Sequence, residues 1–323
     1  MMERLDAFMA RANAEYYATH DPFADFTTSP EITQVFGELL GLWAAVAWQA
    51  MGSPAPVLLA EAGPGRGTLM ADALRAVARM APDFHAALRL HLIETSPRLR
   101  AQQAGRLPDA TFHDGLASLP EGPLLLIANE FLDALPIRQF ERAETGWTER
   151  YVRGGRVALV PSDLTFDAPV GAVMELGEAA CAFAAAVARR VARDGGAALL
   201  IDYGPEHSAL GDSLQALRNR AAADPLADPG HADLTAHVDF AALARAAVAA
   251  GGAVQGPLPQ GVFLSRLGLF QRSGALARTQ PPARASALLE AASRLAEPHA
   301  MGRLFKAMAI CHPALPTLPG FAA

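Results

Sequence analysis

An apolar run, Val57-Leu58-Leu59-Ala60-Glu61-Ala62, flows directly into Gly63-Pro64-Gly65-Arg66-Gly67-Thr68-Leu69, and few folds are open to a chain that does this. The run has strand length, and the segment behind the glycines carries apolar residues at helical spacing: Leu69, Ala73, Leu74, Val77 and Met80. Strand, tight turn and helix are expected in that order. Gly63, Gly65 and Gly67 can take backbone angles closed to other residues and let a ligand approach the main chain, while the helix start offers unpaired N–H groups. The shape suits a nucleotide. A glycine turn that merely lets a strand and a helix pack closely would carry the same pattern.

What the turn lacks narrows the ligand. A dinucleotide fingerprint needs glycine at the sixth position of G-x-G-x-x-G, where this chain has Thr68. A phosphate-cradling G-x-x-x-x-G-K-[ST] loop needs a lysine, and the only lysine in the chain is Lys306. Glu61, at the strand end, would repel a pyrophosphate but suits a ligand that carries an amino group and a sulfonium charge. S-adenosylmethionine (SAM) fits best.

The bounds agree. A chain of 323 residues with 51% hydrophobic residues predicts one large α/β domain with attachments. A net charge of -6 with no basic cluster argues against nucleic acid as the main partner. Cys181 and Cys311 form no C-x-x-C pair, so neither a disulfide framework nor a zinc site is expected. His231 and His237 stand six apart rather than on one helical face, and with Asp233 and Asp239 they make a poor metal site, so no metal is expected. No G-x-S-x-G elbow marks a serine hydrolase. No run of 18 apolar residues predicts membrane insertion, and Glu3 and Asp6 are unlike a signal or transit peptide, so the expected location is a cytoplasm. A single lysine among 27 basic residues, with abundant alanine, points to a GC-rich bacterial genome. A homo-oligomer is compatible with all of this.

Residues 1–52 read as an N-terminal helical extension, with helical spacing from about Glu3 to Ala18 and from Pro30 to Met51. Residues 53–323 read as the ligand-binding domain, with insertions at about 137–165 and 205–235. Between the two N-terminal helices lies Phe26-Thr27-Thr28-Ser29-Pro30-Glu31, where Thr28 and Glu31 have capping-box spacing and Pro30 suits a first turn. A well-made helix start explains the segment. So does a lid whose hydroxyls, Thr28 and Ser29, face a polar ligand.

Leu88 to Glu94 reads as a second strand ending in a carboxylate 27 residues beyond Gly67. In a doubly wound sheet Glu94 would stand beside the glycine turn and hold two ribose hydroxyls, unless it is a solvated strand end. A short strand, Ala110 to His113, brings Asp114 within reach of an adenine amino group, although Asp114-Gly115 is also an ordinary turn. Pro123 to Ala128 is an uninterrupted buried run, hence a central strand, followed by Asn129-Glu130-Phe131-Leu132-Asp133. Polar groups in that place need partners or work; Glu130 and Asp133 could equally cap a following helix.

Alternating segments at Ile137 to Arg142, Thr148 to Val152 and Arg156 to Val160 predict an inserted β-meander. A helix is expected over about Val173 to Arg193, a fifth strand at Ala197 to Tyr203, loops from Pro205 to Pro229, and a helix capped by Asp239 running to Ala250. Ala253 to Leu258 reads as a sixth strand and Arg303 to Ile310 as a last one, with largely helical chain from Phe263 to Leu295 between them. Seven strands with such a return resemble the class I methyltransferase layout.

Several motifs in this order resemble one family. They are Thr27-Thr-Ser-Pro-Glu31, Phe36-Gly-Glu38, Glu61-Ala-Gly-Pro-Gly-Arg-Gly-Thr-Leu69, Glu94-Thr-Ser-Pro97, Asn129-Glu-Phe-Leu-Asp-Ala-Leu-Pro136, Asp202-Tyr-Gly204, Asp233-Leu-Thr-Ala-His-Val-Asp-Phe240 and Met301-Gly-Arg-Leu-Phe-Lys306. Together they resemble the MidA family over about residues 20 to 310. The resemblance implies a class I (Rossmann-like) SAM-dependent methyltransferase: an α/β protein with a seven-stranded, mostly parallel sheet, added N-terminal helices and a β-meander insertion. It further implies a protein arginine as acceptor, because the family's mitochondrial members are protein arginine methyltransferases that assist assembly of respiratory complex I. Departures are Ala62, Leu132 and Pro259; the last bears on a substrate-side loop.

In SAM-dependent methyltransferases the end of this central strand faces the methyl group, which makes Glu130 and Asp133 candidates for gripping a guanidinium and Asn129 for ordering the strand end. Glu61, Gly63, Gly65, Gly67, Glu94, Asp114, Thr28 and Ser29 are the candidate cofactor contacts. A methyltransferase acting on a small molecule or another side chain, and a non-catalytic SAM-binding assembly chaperone, remain as alternatives.

Overall fold

Every residue of the strands Val57–Ala62 and Leu124–Asn129 is buried, so both must lie in a sheet covered on its two faces. The computed structural model, which describes residues 2–20 and 27–322, shows that sheet and what is attached to it. The chain opens with β1 (Met2–Arg4), α1 (Leu5–Thr19), α2 (Ser29–Ile32) and α3 (Gln34–Ala50). It then alternates through β2 (Val57–Ala62), α4 (Thr68–Met80), α5 (Pro82–Ala87), β3 (Leu88–Ile93), α6 (Pro97–Arg106), β4 (Thr111–His113) and β5 (Leu124–Asn129). A meander follows, β6 (Arg138–Ala143), β7 (Gly146–Arg153), β8 (Arg156–Ser162) and β9 (Val173–Leu176), then α7 (Glu178–Asp194) and β10 (Gly196–Tyr203). The remainder is β11 (Gln215–Arg218), β12 (Ala221–Ala223), β13 (Asp233–Thr235), α8 (Phe240–Ala249), β14 (Ala253–Pro259), α9 (Gln260–Arg266), α10 (Leu269–Ala277), α11 (Pro282–Ala296), α12 (Met301–Leu304) and β15 (Phe305–Cys311).

The central sheet has seven strands in the order β14-β15-β10-β5-β2-β3-β4. β10, β5, β2, β3 and β4 pair in parallel, and β15 runs antiparallel between β10 and β14. Alternate strand residues face opposite layers. Leu59, Leu125 and Leu199 pack with α3, α4 and the C-terminal helices, whereas Leu58, Leu126 and Leu200 pack with α7 and α8. From β2 the chain steps outward through β3 to β4 and then returns to the other side of β2 as β5. The switch point therefore lies between β2 and β5, where a sheet of this kind opens a ligand crevice beyond its strand ends.

Four local expectations need correction. Val173–Leu176 is a strand paired with β6, and the helix starts only at Glu178 beyond Gly177, because pairing partners outweigh a helical periodicity that spans the glycine. Met301–Leu304 is a helical turn, which leaves Phe305 to begin the last strand. The span expected as loops contains β11 and β12, which join β13 in a three-stranded sheet. The N-terminal extension is not purely helical: β1 pairs antiparallel with β7, and Leu5, Phe8, Met9 and Ala12 of α1 share a core with Ile137, Val152, Leu234 and Ala236. α1 thus joins the meander to the small sheet.

Candidate active site

At the ends of β2, β3 and β5 lies a cavity of 580 Å³, with the glycine turn on one side and the Asn129–Leu135 segment on the other. Gly63, Gly65 and Gly67 have φ of 66°, 54° and 74°, the left-handed angles that the turn demands. A side chain on Gly63 would also put its Cβ 2.8 Å from Phe131 Cδ2. The three glycines are therefore needed where the sequence has them.

Glu61 and Glu94 stand together in the cavity wall. Glu61 is 3% exposed, and its buried Oε2 has no hydrogen-bond partner among the described residues. Burial, with the nearby Glu94 adding to it, pushes its carboxyl up to about 8. Glu94 is better supplied. Its Oε1 accepts the Ser96 N–H at 2.8 Å and its other oxygen accepts Gln103 Nε2 at 3.2 Å, yet burial still raises its carboxyl. Gln103 Nε2 also donates to Gly65 O at 2.7 Å and so ties the glycine turn to Glu94. Asp114 lines the cavity, but its side chain is 87% exposed and pairs with Arg100 at 2.6 Å.

The Thr28–Glu31 segment closes the cavity by a different set of bonds from those its spacing predicts. Thr28, partly buried, lines the cavity but makes no side-chain cap, so there is no capping box. Glu31 Oε1 instead accepts Thr68 Oγ1 at 2.5 Å, at the start of α4. The Ser29 N–H donates to Glu130 Oε1 at 2.7 Å, and Ser29 is itself fully buried. Phe26, which belongs to the same predicted lid, lies outside the described residues.

No helix follows β5 for Glu130 and Asp133 to cap, because the chain runs from β5 through turns into β6, and the helix N–H that Glu130 takes is that of Ser29 at the start of α2. That alternative is removed. Asp202 at the end of β10 does the capping: Oδ2 accepts the N–H groups of Phe131, Leu132 and Asp133 at 3.1, 2.9 and 3.3 Å, and Oδ1 that of Tyr203 at 2.9 Å. Burial nevertheless lifts Asp202 to about 7. Glu130 sits at φ 51°, a conformation unusual for a side chain of its size, and its Oε1 also takes Asn129 Nδ2 at 3.1 Å. Asn129 Oδ1 is buried and has no hydrogen-bond partner among the described residues. Asp133 is 8% exposed, and burial, then Asp202, Asp233 and Glu130, drive its carboxyl well above the usual range. Among the described residues Glu130, Asp133 and Asp202 form no ion pair. Leu132 faces a second cavity of 1050 Å³ while Glu130, Phe131 and Ala134 face the first, so the turn that carries Asp133 stands between the two.

Sequence reasoning missed Gln103, Asn13, Tyr17 and Asp233, all of which reach this region. Asn13, Gln103 and Asp233 are buried and Tyr17 is half-buried, each on an otherwise ordinary element, and only the fold shows where they point.

A parallel sheet with this order, an acidic-ended glycine turn at its switch point and a second carboxylate on the next strand define a class I SAM-dependent methyltransferase. The orphaned Glu61 Oε2 fits a ligand with an amino cation, as SAM has. The model of a family of S-adenosyl-L-methionine-dependent methyltransferases matches residues 39–258, and the chain belongs to that family. SAM is its cofactor. The chain is 33% identical over 342 residues to the zebrafish (Danio rerio) mitochondrial protein arginine methyltransferase NDUFAF7, covering 93% of this chain and 80% of that protein. It is 32% identical over 341 residues to the human (Homo sapiens) protein of the same name, covering 91% and 76%. A Burkholderia thailandensis protein crystallised with S-adenosyl-homocysteine superposes with a TM-score of 0.83 at 27% identity, covering 99% of this chain and 90% of that one.

Proposed function

We propose that this methyltransferase acts on an arginine side chain of a protein acceptor, a subunit of respiratory complex I or its bacterial counterpart. The observation that carries the proposal is the half-buried Glu130 and the buried Asp133 beside the cofactor cavity, neither of them in an ion pair among the described residues. Buried carboxyls without a cation are expensive, and a guanidinium supplies both the charge and the hydrogen-bond donors that such a site lacks. The relatives' names, protein arginine methyltransferases, support an arginine of a protein as the acceptor.

On the cofactor side, Glu61 would hold the amino group, Glu94 the ribose hydroxyls and Asp114 the adenine amino group, and Thr28 and Ser29 would cover the ligand from the N-terminal extension. The cofactor supplies an electrophilic methyl group on a positively charged sulfur. A guanidinium stays protonated at neutral pH, so its nitrogen is a poor nucleophile until a proton leaves. Glu130 and Asp133 hold the guanidinium plane, and Asn129 Oδ1 offers a third acceptor. The proton that the guanidinium sheds on methylation would pass to one of these carboxylates, whose raised affinity for protons suits the task. Placement supplies much of the remaining acceleration. The second cavity, on the far side of the Asp133 turn, has room for the acceptor chain.

The test is transfer from methyl-labelled SAM to isolated complex I subunits, with the modified residue mapped by mass spectrometry. Label on arginine is expected. Label confined to other residues, or no label from protein that binds SAM, contradicts the arginine acceptor.

A further inference from the structure

Helix α6 buries only Leu99 and Gln103, four residues apart on one face. A glutamine in that place needs a reason, because an amide removed from water must find hydrogen-bond partners. Gln103 is 0% exposed. Its Nε2 carries two hydrogens and meets two acceptors, Gly65 O at 2.7 Å and Glu94 Oε2 at 3.2 Å. Its Oε1, by contrast, has no hydrogen-bond partner among the described residues. The side chain is placed for donation.

Both acceptors line the cofactor cavity, Gly65 in the glycine turn and Glu94 just past the end of β3. Gln103 lines neither cavity and stands behind them. Whatever it does for a ligand, it does through those two residues. The same helix start holds the other oxygen of Glu94: the Ser96 N–H, one residue before α6, donates to Oε1 at 2.8 Å. Arg100 of α6 donates from Nε to the Glu94 carbonyl at 2.6 Å and fixes the backbone beneath. With one donor on each oxygen the carboxylate plane is set, and each oxygen keeps a further lone pair for a ligand. A carboxylate so held can accept from two neighbouring hydroxyls at once, which is what a ribose presents.

We propose that Gln103 is a positioning residue for the cofactor ribose: from one nitrogen it sets Glu94 against the glycine turn and aims the carboxylate at the sugar hydroxyls. The proposal rests on the reading of Glu94 as the ribose partner and deepens it, because the preference for a sugar diol then comes from α6 as well as from Glu94. Without the Gln103 donor, the ligand itself has to order the carboxylate, and that ordering weakens binding.

The experiment measures calorimetric affinity for S-adenosylhomocysteine and for its 2′,3′-dideoxy analogue in wild type, Gln103→Met and Glu94→Ala. Wild type should prefer the diol by about thirtyfold, the effect of hydrogen bonds to a charged group. Gln103→Met, similar in volume but without a donor, should bind S-adenosylhomocysteine about tenfold more weakly and the dideoxy analogue within about threefold of wild type, so that most of the preference is lost. Glu94→Ala should lose it as well. A merely structural role for Gln103 would weaken both ligands alike and keep the ratio. Should Gln103→Met fail to fold, Gln103→Asn, which draws the amide back by one methylene, carries the same comparison. A preference that survives at position 103 while Glu94→Ala abolishes it would overturn the proposal and leave the ribose reading standing. A preference that survives in Glu94→Ala, or is absent from wild type, would remove both.

Discussion

At the glycine end of the cavity, Glu61, Gly63, Gly65 and Glu94 come from two adjacent strands and the turns behind them. At the acidic end, by contrast, Tyr17 meets Asp233 across 216 residues of chain and Asn13 meets Leu234 across 221. The first end is backbone shape: left-handed glycines, a helix start and one unpartnered carboxyl oxygen. The second is side chains that tie together the backbone and side chains of distant segments. A cofactor shared by many enzymes can be met by a local motif, whereas an acceptor site has to be assembled from whatever segments the fold brings together. The two ends should therefore fail separately.

The sharpest probe of the glycine end is Glu61. Burial and Glu94 hold its carboxyl at about 8 in the free protein, so at neutral pH it is mostly protonated; a ligand cation favours the carboxylate. Binding of S-adenosylhomocysteine should then release close to one proton per ligand at about pH 7 and progressively less as pH rises through 8. Calorimetry in buffers of different ionisation enthalpy measures this, and Glu61→Gln should abolish the release. Proton release that persists in the variant would assign the titration elsewhere.

Asp114 marks the weak edge of the same end. Its side chain is 87% exposed and its ion pair with Arg100 is open to water, so Asp114→Ala should weaken cofactor affinity by only about twofold. A loss of tenfold would mean that Asp114 turns into the cavity when the ligand is bound.

The contrast also explains what could be read from the chain. Val57 to Leu69 was legible because strand length, glycine spacing and helical period all lie within a few turns of one another. Glu94 and the Asn129–Asp133 segment were legible because they are polar groups at the ends of apolar strands, a position that needs a reason. Asp202 was visible only as another polar strand end; its work as a cap on the N–H groups of Phe131, Leu132 and Asp133 depends on β10 lying beside β5. Asn13 and Tyr17 gave no local signal, since a polar side chain on a surface helix points equally well to solvent. Glu31 was misleading for a physical reason: its spacing from Thr28 suits a capping box, but Thr68 reaches it from another element.

The central claim is that the two ends are separable, and the direct measurement sets Glu94→Ala beside Asp133→Asn. For each, affinity for S-adenosylhomocysteine is measured by calorimetry and methyl transfer to complex I subunits at saturating SAM. Glu94→Ala should lose about ten- to a hundredfold in affinity, the loss expected for removing hydrogen bonds to a charged group, and recover transfer when SAM is saturating. Asp133→Asn should bind within twofold of wild type and lose transfer by about a hundredfold or more. If Asp133→Asn loses cofactor affinity as severely as Glu94→Ala, the cavity is one indivisible site and the division between cofactor end and acceptor end is wrong.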